Sequence, residues 1–260
     1  MKRFALIGRK LGHSYSQRWF EELFAREGLE DHSYRLVEMA SLEGLREWME
    51  KEAIDGFNVT VPYKQEIIPL LDELDEVAAA VGAVNCVTVK EGRMVGHNTD
   101  ASAFRQTLEE TLTHLGIDTL THSFILGTGG AARAVAYALQ QLGIPYTFVS
   151  RNPERHDNAI DYSQLSTFLH AELDEVRGAN FQFSIIVNAT PVGMYPDVDA
   201  TPLDLTHAFT HSHIHALVYD LIYNPSPTRL LREAAARGAR TKDGLEMLYR
   251  QAELSWELFR

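Results

Sequence analysis

The sequence predicts an α/β protein of two domains, an N-terminal α/β domain followed by a doubly wound nucleotide-binding domain. Three observations carry this. Strand-like and helix-like stretches alternate through the first hundred residues of the 260, as layered α/β units require. At Phe124-Ile-Leu-Gly-Thr-Gly-Gly-Ala-Ala-Arg-Ala-Val-Ala-Tyr-Ala-Leu139 a short apolar run breaks into glycines and becomes an alanine-rich helix. Further short apolar runs then recur at Tyr146–Ser150, Ile185–Ala189 and Ala216–Asp220, the rhythm of parallel strands separated by crossovers.

In chain order, Phe4–Gly8 reads as the first strand. Its preceding Lys2 and Arg3 do not make it a secretion signal, because the apolar stretch is too short. Ser16–Glu27 is helical, with Trp19, Phe20, Leu23 and Phe24 on one face. Ser33–Val37 is a strand, and Ser41–Glu52 a helix burying Leu42, Leu45, Trp48 and Met49. The aromatic residues on these helices have core spacing rather than the look of a cofactor box. Phe57–Val61 is a strand, and Lys64–Leu74 reads as helical despite Pro69. Ala83–Val89 and Met94–His97 form a hairpin around Glu91-Gly92. A helix runs from Asp100 to about Leu115, and after the nucleotide unit Asn224-Pro-Ser-Pro227 stops a strand and starts a helix over Thr228–Arg237. Gly244–Arg260 is the last helix. The expected boundaries are residues 1–101 for the first domain, completed by the C-terminal helix taken as 238–260, and 102–237 for the second.

Composition narrows the function. Lys and Arg number 24 against 36 Asp and Glu, a net charge of −12, which speaks against nucleic acid or an anionic membrane as partner. No run is long enough to cross a bilayer. The single cysteine, Cys86, excludes an internal disulfide and fits a reducing cytoplasm.

The spacing Gly127-x-Gly129-x-x-Ala132 is the dinucleotide fingerprint of a Rossmann-type unit. Gly127 makes the tight turn, Gly129 admits a pyrophosphate, and the amides at the helix start offer donors to phosphate. Arg151 lies 24 residues past Gly127, at the end of the second strand. An acidic residue there would bind the ribose of NAD; an arginine favours the 2′-phosphate of NADP. Arg151 and Arg155 therefore form a phosphate clamp, or are plain loop arginines. The loop Asn188-Ala-Thr190-Pro191-Val-Gly193-Met194 lets the backbone approach a cofactor, or is simply a turn.

In the first half, Ser14 and Ser16 could hold a carboxylate with the amides of the following helix, or merely cap that helix. Asn58 and Thr60 share one face of a strand, and Pro62 ends it so that Lys64 stands at the tip. Lys64 could be a solvated helix-start lysine. Asp100 could be a helix cap; a catalytic reading needs the two close together, trading a proton with a substrate oxygen. His207, His211, His213 and His215 lack the acidic or cysteine partners of a metal site, and no metal is expected.

Taken in order, these motifs resemble the shikimate dehydrogenase family across nearly the whole chain. They are Gly-His-Ser14-x-Ser16, Phe57-Asn-Val-Thr-Val-Pro-x-Lys64, Gly82-Ala-Val-Asn85, Asn98-Thr-Asp100 and Gly127-x-Gly-Gly-x-Ala132. Ser150-Arg151, Asn188-Ala-Thr-Pro-x-Gly-Met194, Asp220-x-x-Tyr223-x-Pro225 and Asp243-Gly-x-x-Met-Leu-x-x-Gln251 continue the set. The resemblance implies NADPH-dependent reduction of 3-dehydroshikimate to shikimate, on the route to chorismate and the aromatic amino acids. It implies Lys64 and Asp100 as the catalytic pair, and the substrate carboxylate on Ser14 and Ser16. Asn58, Thr60, Asn85, Tyr223 and Gln251 are further substrate positions. Cofactor positions are Gly127, Thr128, Gly129, Gly130, Ala131, Ala132, Ser150, Arg151, Asn152, Arg155, Ala189, Thr190, Pro191, Leu221 and Gly244. A cytoplasmic monomer or homodimer is expected.

Some positions depart from the family's usual residues. Lys10 and Gln17 replace proline, Cys86 threonine, Ala103 glycine and Ser150 asparagine; they bear on the substrate grip near Ser14 and Ser16 and on the preference for NADP. The rival readings are an NAD-using quinate/shikimate dehydrogenase, against which Arg151 argues, and a non-catalytic nucleotide sensor, which would not need both Lys64 and Asp100. A folate-type dehydrogenase of similar build fits Ser14 and Ser16 poorly.

Overall fold

The structure is a computed structural model that describes residues 1–12, 14–117, 120, 122–175, 184–205 and 216–260, the side chains of 169–175 excepted. The chain divides into two compact units, Met1–Ala103 with Leu248–Arg260, and Phe104–Met247.

Unit 1 is built on a six-stranded mixed sheet. In chain order its elements are β1 (Lys2–Gly8), α1 (Ser16–Glu27), β2 (His32–Glu38), α2 (Leu45–Lys51), β3 (Gly56–Val59) and α3 (Tyr63–Glu66). Then come β4 (Glu73–Leu74), α4 (Glu76–Val81), β5 (Cys86–Lys90), β6 (Arg93–His97) and the start of α5 (Thr99–Leu115). The strand order is β2-β1-β3-β5-β6-β4. β1 pairs in parallel with β2 and β3, while β5 runs antiparallel to its neighbours β3 and β6.

The period-two alternation of β1 explains the layering. Ala5 and Ile7 enter the core under α2 and α3, with Leu45, Met49, Phe57, Val59 and Tyr63. Phe4 and Leu6 enter the opposite core, with Phe20, Leu23 and Phe24 of α1 and Ala252 and Trp256 of the final helix. Phe4 stacks on Phe259 at 4.8 Å and meets Trp256 edge-on at 5.9 Å. Burying one such ring contributes about 1.5–3 kcal/mol, so the C-terminal helix is anchored in unit 1 by its aromatic face.

Two expected helices are shorter. The helix expected over Lys64–Leu74 ends after one turn; Ile68–Leu70 forms a 3-10 turn and Glu73–Leu74 is β4, paired with β6. Pro69 has no N–H to continue a helix. Asp72 instead exchanges main-chain and side-chain hydrogen bonds with Met94, at 2.9 and 2.7 Å. The helix expected from Ser41 begins at Leu45, because Gly44 takes a left-handed φ of +72°.

Unit 2 carries an all-parallel six-stranded sheet. Its strands are β7 (His122–Leu126), β8 (Tyr146–Val149), β9 (Ala159–Ile160), β10 (Ser184–Asn188), β11 (Ala216–Asp220) and β12 (Arg240–Lys242). Its helices are the rest of α5, α6 (Gly130–Gln141), α7 (Tyr162–Glu175), α8 (Arg229–Ala235) and the opening turn of α9 (Leu245–Phe259). The order β12-β11-β10-β7-β8-β9 reverses direction between β7 and β10, the doubly wound arrangement in which ligands bind beyond the carboxyl ends at the switch point. Phe124, Leu126, Ile186 and Val218 face a core with Leu165 of α7 and Leu230, Leu231 and Ala234 of α8. On the other face, Tyr219 packs on Phe104 at 5.1 Å and shares a 2.8 Å hydrogen bond with Thr107, both on α5. Residues 240–242, within the span expected to be the C-terminal helix, form β12 because they pair in parallel with Leu217–Tyr219.

No helix of the described residues is long and apolar enough to cross a membrane.

Candidate active site

In unit 1, a buried ion pair forms where β3 and β6 end and β5 begins. Tyr63 opens α3 and is wholly buried, its hydroxyl donating to Met39 O at 2.5 Å. The next residue turns away from that core, and Lys64 O accepts from Val84 N at 2.7 Å, which fixes the backbone. The Lys64 Nζ donates to Asp100 Oδ2 at 2.6 Å, with side-chain exposures of 16% and 8%. The sequence left Asp100 two roles, and the structure assigns the capping role elsewhere. Asn98 Oδ1 accepts from Ala101 N at 3.0 Å at the start of α5, so the Asp100 carboxylate is left for Lys64.

Asn85 holds Asp100 from behind. Its Nδ2 donates to Asp100 Oδ1 at 3.0 Å and Thr99 Oγ1 at 2.8 Å, and its Oδ1 accepts from Thr99 N at 2.7 Å. Gln251 Oε1 lies 3.4 Å from the same Nδ2. Behind these, Ser255 on α9 accepts from Asn58 Nδ2 at 2.8 Å, contacts Thr99 Oγ1 at 3.2 Å and donates to Gln251 O at 2.8 Å. Both N–H donors of Asn58 are used on Asn85 O and Ser255, and Tyr34 donates to its Oδ1 at 2.9 Å. Asn58 thus supports Asn85 from the interior. Sequence reasoning gave Ser255 no role; a serine on the apolar face of a helix, three residues before Leu258 and four after Gln251, was its only signal. Cys86 is fully buried, and burial pushes its thiol up to about 12, so it is no nucleophile.

The remaining substrate positions in unit 1 lie at strand and helix ends. Thr60 N donates to Ile7 O at 2.9 Å beyond β3. Ser14 Oγ accepts from Ser16 N at 3.3 Å, and Ser16 is buried at the first position of α1, which has no acidic residue in its first turn. The adjoining His13 lies outside the described residues.

In unit 2 the strand-end loops are tied to one another across the sheet. Gly127 N donates to Val149 O, Ala189 N to Leu126 O and Leu221 N to Asn188 O, at 2.9–3.0 Å. Gly127 has φ +102°, and a Cβ there would lie 3.0 Å from Thr190 Cγ2. Gly129 is the extended N-cap of α6 with open space before it, no side chain capping the amides and no acidic residue in the first turn. Thr128, Gly130 and Ala131 line this turn, and buried Ala132 seats the helix on the sheet. These free amides and the dipole end suit a pyrophosphate.

Ser150 Oγ accepts from Asn152 N at 3.1 Å, shaping the turn that presents Arg151 and Arg155. Arg151 is exposed and makes no hydrogen bond or ion pair among the described residues; Arg155 approaches Glu154 at 3.8 Å. The Tyr162 hydroxyl is raised by burial and partly drawn back by the Arg151 charge. The donor set thus fits a cofactor with a phosphate beyond the pyrophosphate. Pro191 is exposed after Thr190. Tyr223 is half-buried past β11. Gly244 is obligatory, since a Cβ would fall 2.0 Å from Leu221 O.

Among the described residues no group of three or more His, Cys, Asp or Glu is placed to hold a metal. His207, His211, His213 and His215 lie outside them.

Comparison with known proteins decides the family. Residues 6–87 match the model of the shikimate dehydrogenase substrate binding domain. Shikimate dehydrogenase (NADP(+)) of Shouchella clausii is 38% identical, over 98% of this chain and 92% of that protein. The chain belongs to the shikimate dehydrogenase family. Among solved family structures, that of Thermus thermophilus shikimate 5-dehydrogenase with NADP(H) and shikimate matches at TM-score 0.81 and 33% identity, covering 100% of this chain and 93% of that one. Quinate dehydrogenase of Corynebacterium glutamicum, solved with NAD, matches at TM-score 0.79 and 30% identity over 99% and 93%.

Asp220, at the end of β11, is wholly buried, and burial raises its carboxyl to about 6, a rise opposed by hydrogen bonds from Thr228, Ile222 and Asn188 and slightly increased by Asp243. The folded protein therefore holds this proton more tightly than the unfolded chain does, from an ordinary value of 3.8. The Asp220 contribution to stability is thus largest below about pH 4 and falls as pH rises through about 6. Asp220→Asn removes that titration. In urea unfolding, the variant's stability relative to the parent is expected to be lower at pH 4 than at pH 7. A difference that does not change with pH would contradict the assignment.

Proposed function

We propose that the protein catalyses the reversible, NADPH-dependent reduction of 3-dehydroshikimate to shikimate, in the route to chorismate and the aromatic amino acids. The observation that carries the mechanism is the 2.6 Å Lys64–Asp100 pair, held from behind by Asn85. NADPH, when bound, supplies the hydride that adds to the C3 carbonyl carbon. Lys64 protonates the carbonyl oxygen as the C–O π bond breaks, and in the reverse direction its neutral amine takes the hydroxyl proton. Asp100 pairs with Lys64 and orients it, and Asn85 fixes the carboxylate. Ser14 and Ser16, with the first amides of α1, take the substrate carboxylate. Thr60, Asn85, Asp100, Tyr223 and Gln251 take its ring hydroxyls. In this reading Asn58 serves the same site through Asn85.

On the cofactor side, the turn from Gly127 to Ala132 takes the pyrophosphate. Arg151 and Arg155, on the turn made by Ser150 and Asn152, take the 2′-phosphate. Ala189, Thr190, Pro191, Leu221 and Gly244 lie at the nicotinamide end. Unit 1 is then the substrate domain and unit 2 the cofactor domain. The single buried thiol suits a cytoplasmic enzyme, acting as a monomer or homodimer.

A second reading, an NAD-dependent quinate/shikimate dehydrogenase, is favoured by the likeness to the Corynebacterium quinate enzyme. The exposed Arg151, without an ion pair among the described residues, favours NADP. Formation of reduced nicotinamide, followed by absorbance with shikimate or quinate and either cofactor, separates the two. Fast reduction of NADP with shikimate and little with NAD is expected; comparable rates extending to quinate would favour the broader enzyme. No reduction by folded protein that still binds nucleotide would leave a sensor.

Lys64→Ala is expected to lower kcat by about a hundredfold or more, far beyond any weakening of shikimate binding, because its role peaks in the transition state. Unchanged turnover would refute the proton-transfer role. Arg151→Ala is expected to raise the KM for NADP by about tenfold or more, the loss of a charge-assisted contact, with little effect on NAD. Equal losses for both cofactors would refute the clamp.

A further inference from the structure

Asp220 takes no part in the mechanism above, yet its position is expensive. Its carboxylate is 0% exposed and receives three hydrogen bonds from neutral donors. Asn188 Nδ2 and Ile222 N donate to Oδ1 at 2.9 and 3.0 Å, and Thr228 Oγ1 donates to Oδ2 at 2.7 Å. A buried carboxylate without a cation carries a desolvation penalty that neutral partners only partly offset, as its raised titration reflects. An apolar residue would fill the end of β11 without that penalty. What it would not do is join three separate segments.

Each donor leads somewhere. Asn188 ends β10, and its other amide atom, Oδ1, accepts from Thr190 N at 3.0 Å and Thr190 Oγ1 at 2.7 Å. Ile222 is the second residue after β11, and Ile222 O accepts from Gly244 N at 3.2 Å. Thr228 is the N-cap of α8, its hydroxyl also accepting from Leu231 N at 3.3 Å. One carboxylate thus fixes the Asn188 amide, and the amide fixes the conformation of Thr190. Thr190 in turn lies against Gly127, where a Cβ would come within 3.0 Å of its methyl group.

We propose that Asp220 is a positioning residue for the cofactor, acting through Asn188 to hold the Thr190 loop beside the Gly127 turn. The proposal rests on the reading of the Thr190 loop as part of the nicotinamide site. Asp220 does not touch the cofactor; it sets the geometry of groups that do. Asparagine at 220 preserves the acceptor for Asn188 and Ile222, with its amide N–H₂ turned to the Thr228 hydroxyl oxygen. Alanine removes the acceptor from all three donors, and leaves Asn188 Nδ2 only its longer contact to Val192 O, at 3.4 Å.

The test compares NADP affinity with the KM for shikimate in the full-length enzyme, by nucleotide titration and steady-state kinetics. Asp220→Ala is expected to weaken NADP binding by about tenfold or more, the loss of hydrogen bonds to a charged group, while the shikimate KM stays within about twofold. Asp220→Asn should restore most of the affinity. Asn188→Ala cuts the same link without disturbing the Thr228 cap, and should reproduce the NADP loss even where Asp220→Ala fails to fold. Combined with Thr190→Ala, it should add little further loss, since both act through one loop. Parental NADP affinity in Asn188→Ala would overturn the proposal, as would equal weakening of NADP and shikimate. Thr190→Ala with unaltered NADP affinity would instead refute the loop's place in the cofactor site.

Discussion

The feature on which unit 1 depends is the burial of two opposite charges in one hydrogen-bond network. An ammonium and a carboxylate 2.6 Å apart, both largely shielded from water, are tolerated because each is paired, and removing either partner would strand the other at a cost of several kcal/mol. The surrounding architecture serves that requirement. Tyr63 anchors α3 so that Lys64 faces Asp100. Asn98 takes over the capping of α5. Asn85 presents a donor to the second carboxylate oxygen, and Asn58, bonded to the Asn85 main-chain O and to Ser255, connects that residue to the C-terminal helix. The helix itself is held by Trp256 edge-on to Phe4 and Phe259 stacked on it. Residues at both ends of the chain therefore stand behind a site built from its first hundred.

Unit 2 answers a different constraint. A parallel sheet that reverses its order between β7 and β10 leaves a crevice at the carboxyl ends of those strands. What lines that crevice must approach closely without side-chain obstruction, and must supply donors rather than acceptors to an anionic ligand. Gly127, with its positive φ, and Gly129, with nothing before it, meet the first need. The uncapped, acid-free start of α6 and the exposed guanidinium of Arg151 meet the second.

Much of this was legible in the sequence because it is written in local patterns. The strand–glycine–helix signature at 124–139, the alternation in β1 and the arginine ending β8 each carry their physics in adjacent residues. The family motifs then placed Lys64 and Asp100 in one site, which periodicity alone could not. The losses were non-local. Lys64–Leu74 looks helical until Asp72 meets Met94, twenty-two positions away, and turns the chain into β4. Arg240–Lys242 is a strand only because β11 is its neighbour. Asn58 faces an interior network that involves Ser255, nearly two hundred residues on. Asp220 stands in a family motif at the polar end of an apolar strand, but neither the motif nor the pattern shows a wholly buried carboxylate joining three segments.

The claim at the centre of this account is that Lys64 and Asp100 act as a single proton-transferring unit. A double-mutant cycle on kcat/KM for shikimate, with Lys64→Ala, Asp100→Ala and the double variant, tests it most directly. If the two act as a unit, the double variant will be hardly slower than the worse of the single ones. Losses that multiply, each residue contributing independently, would contradict it.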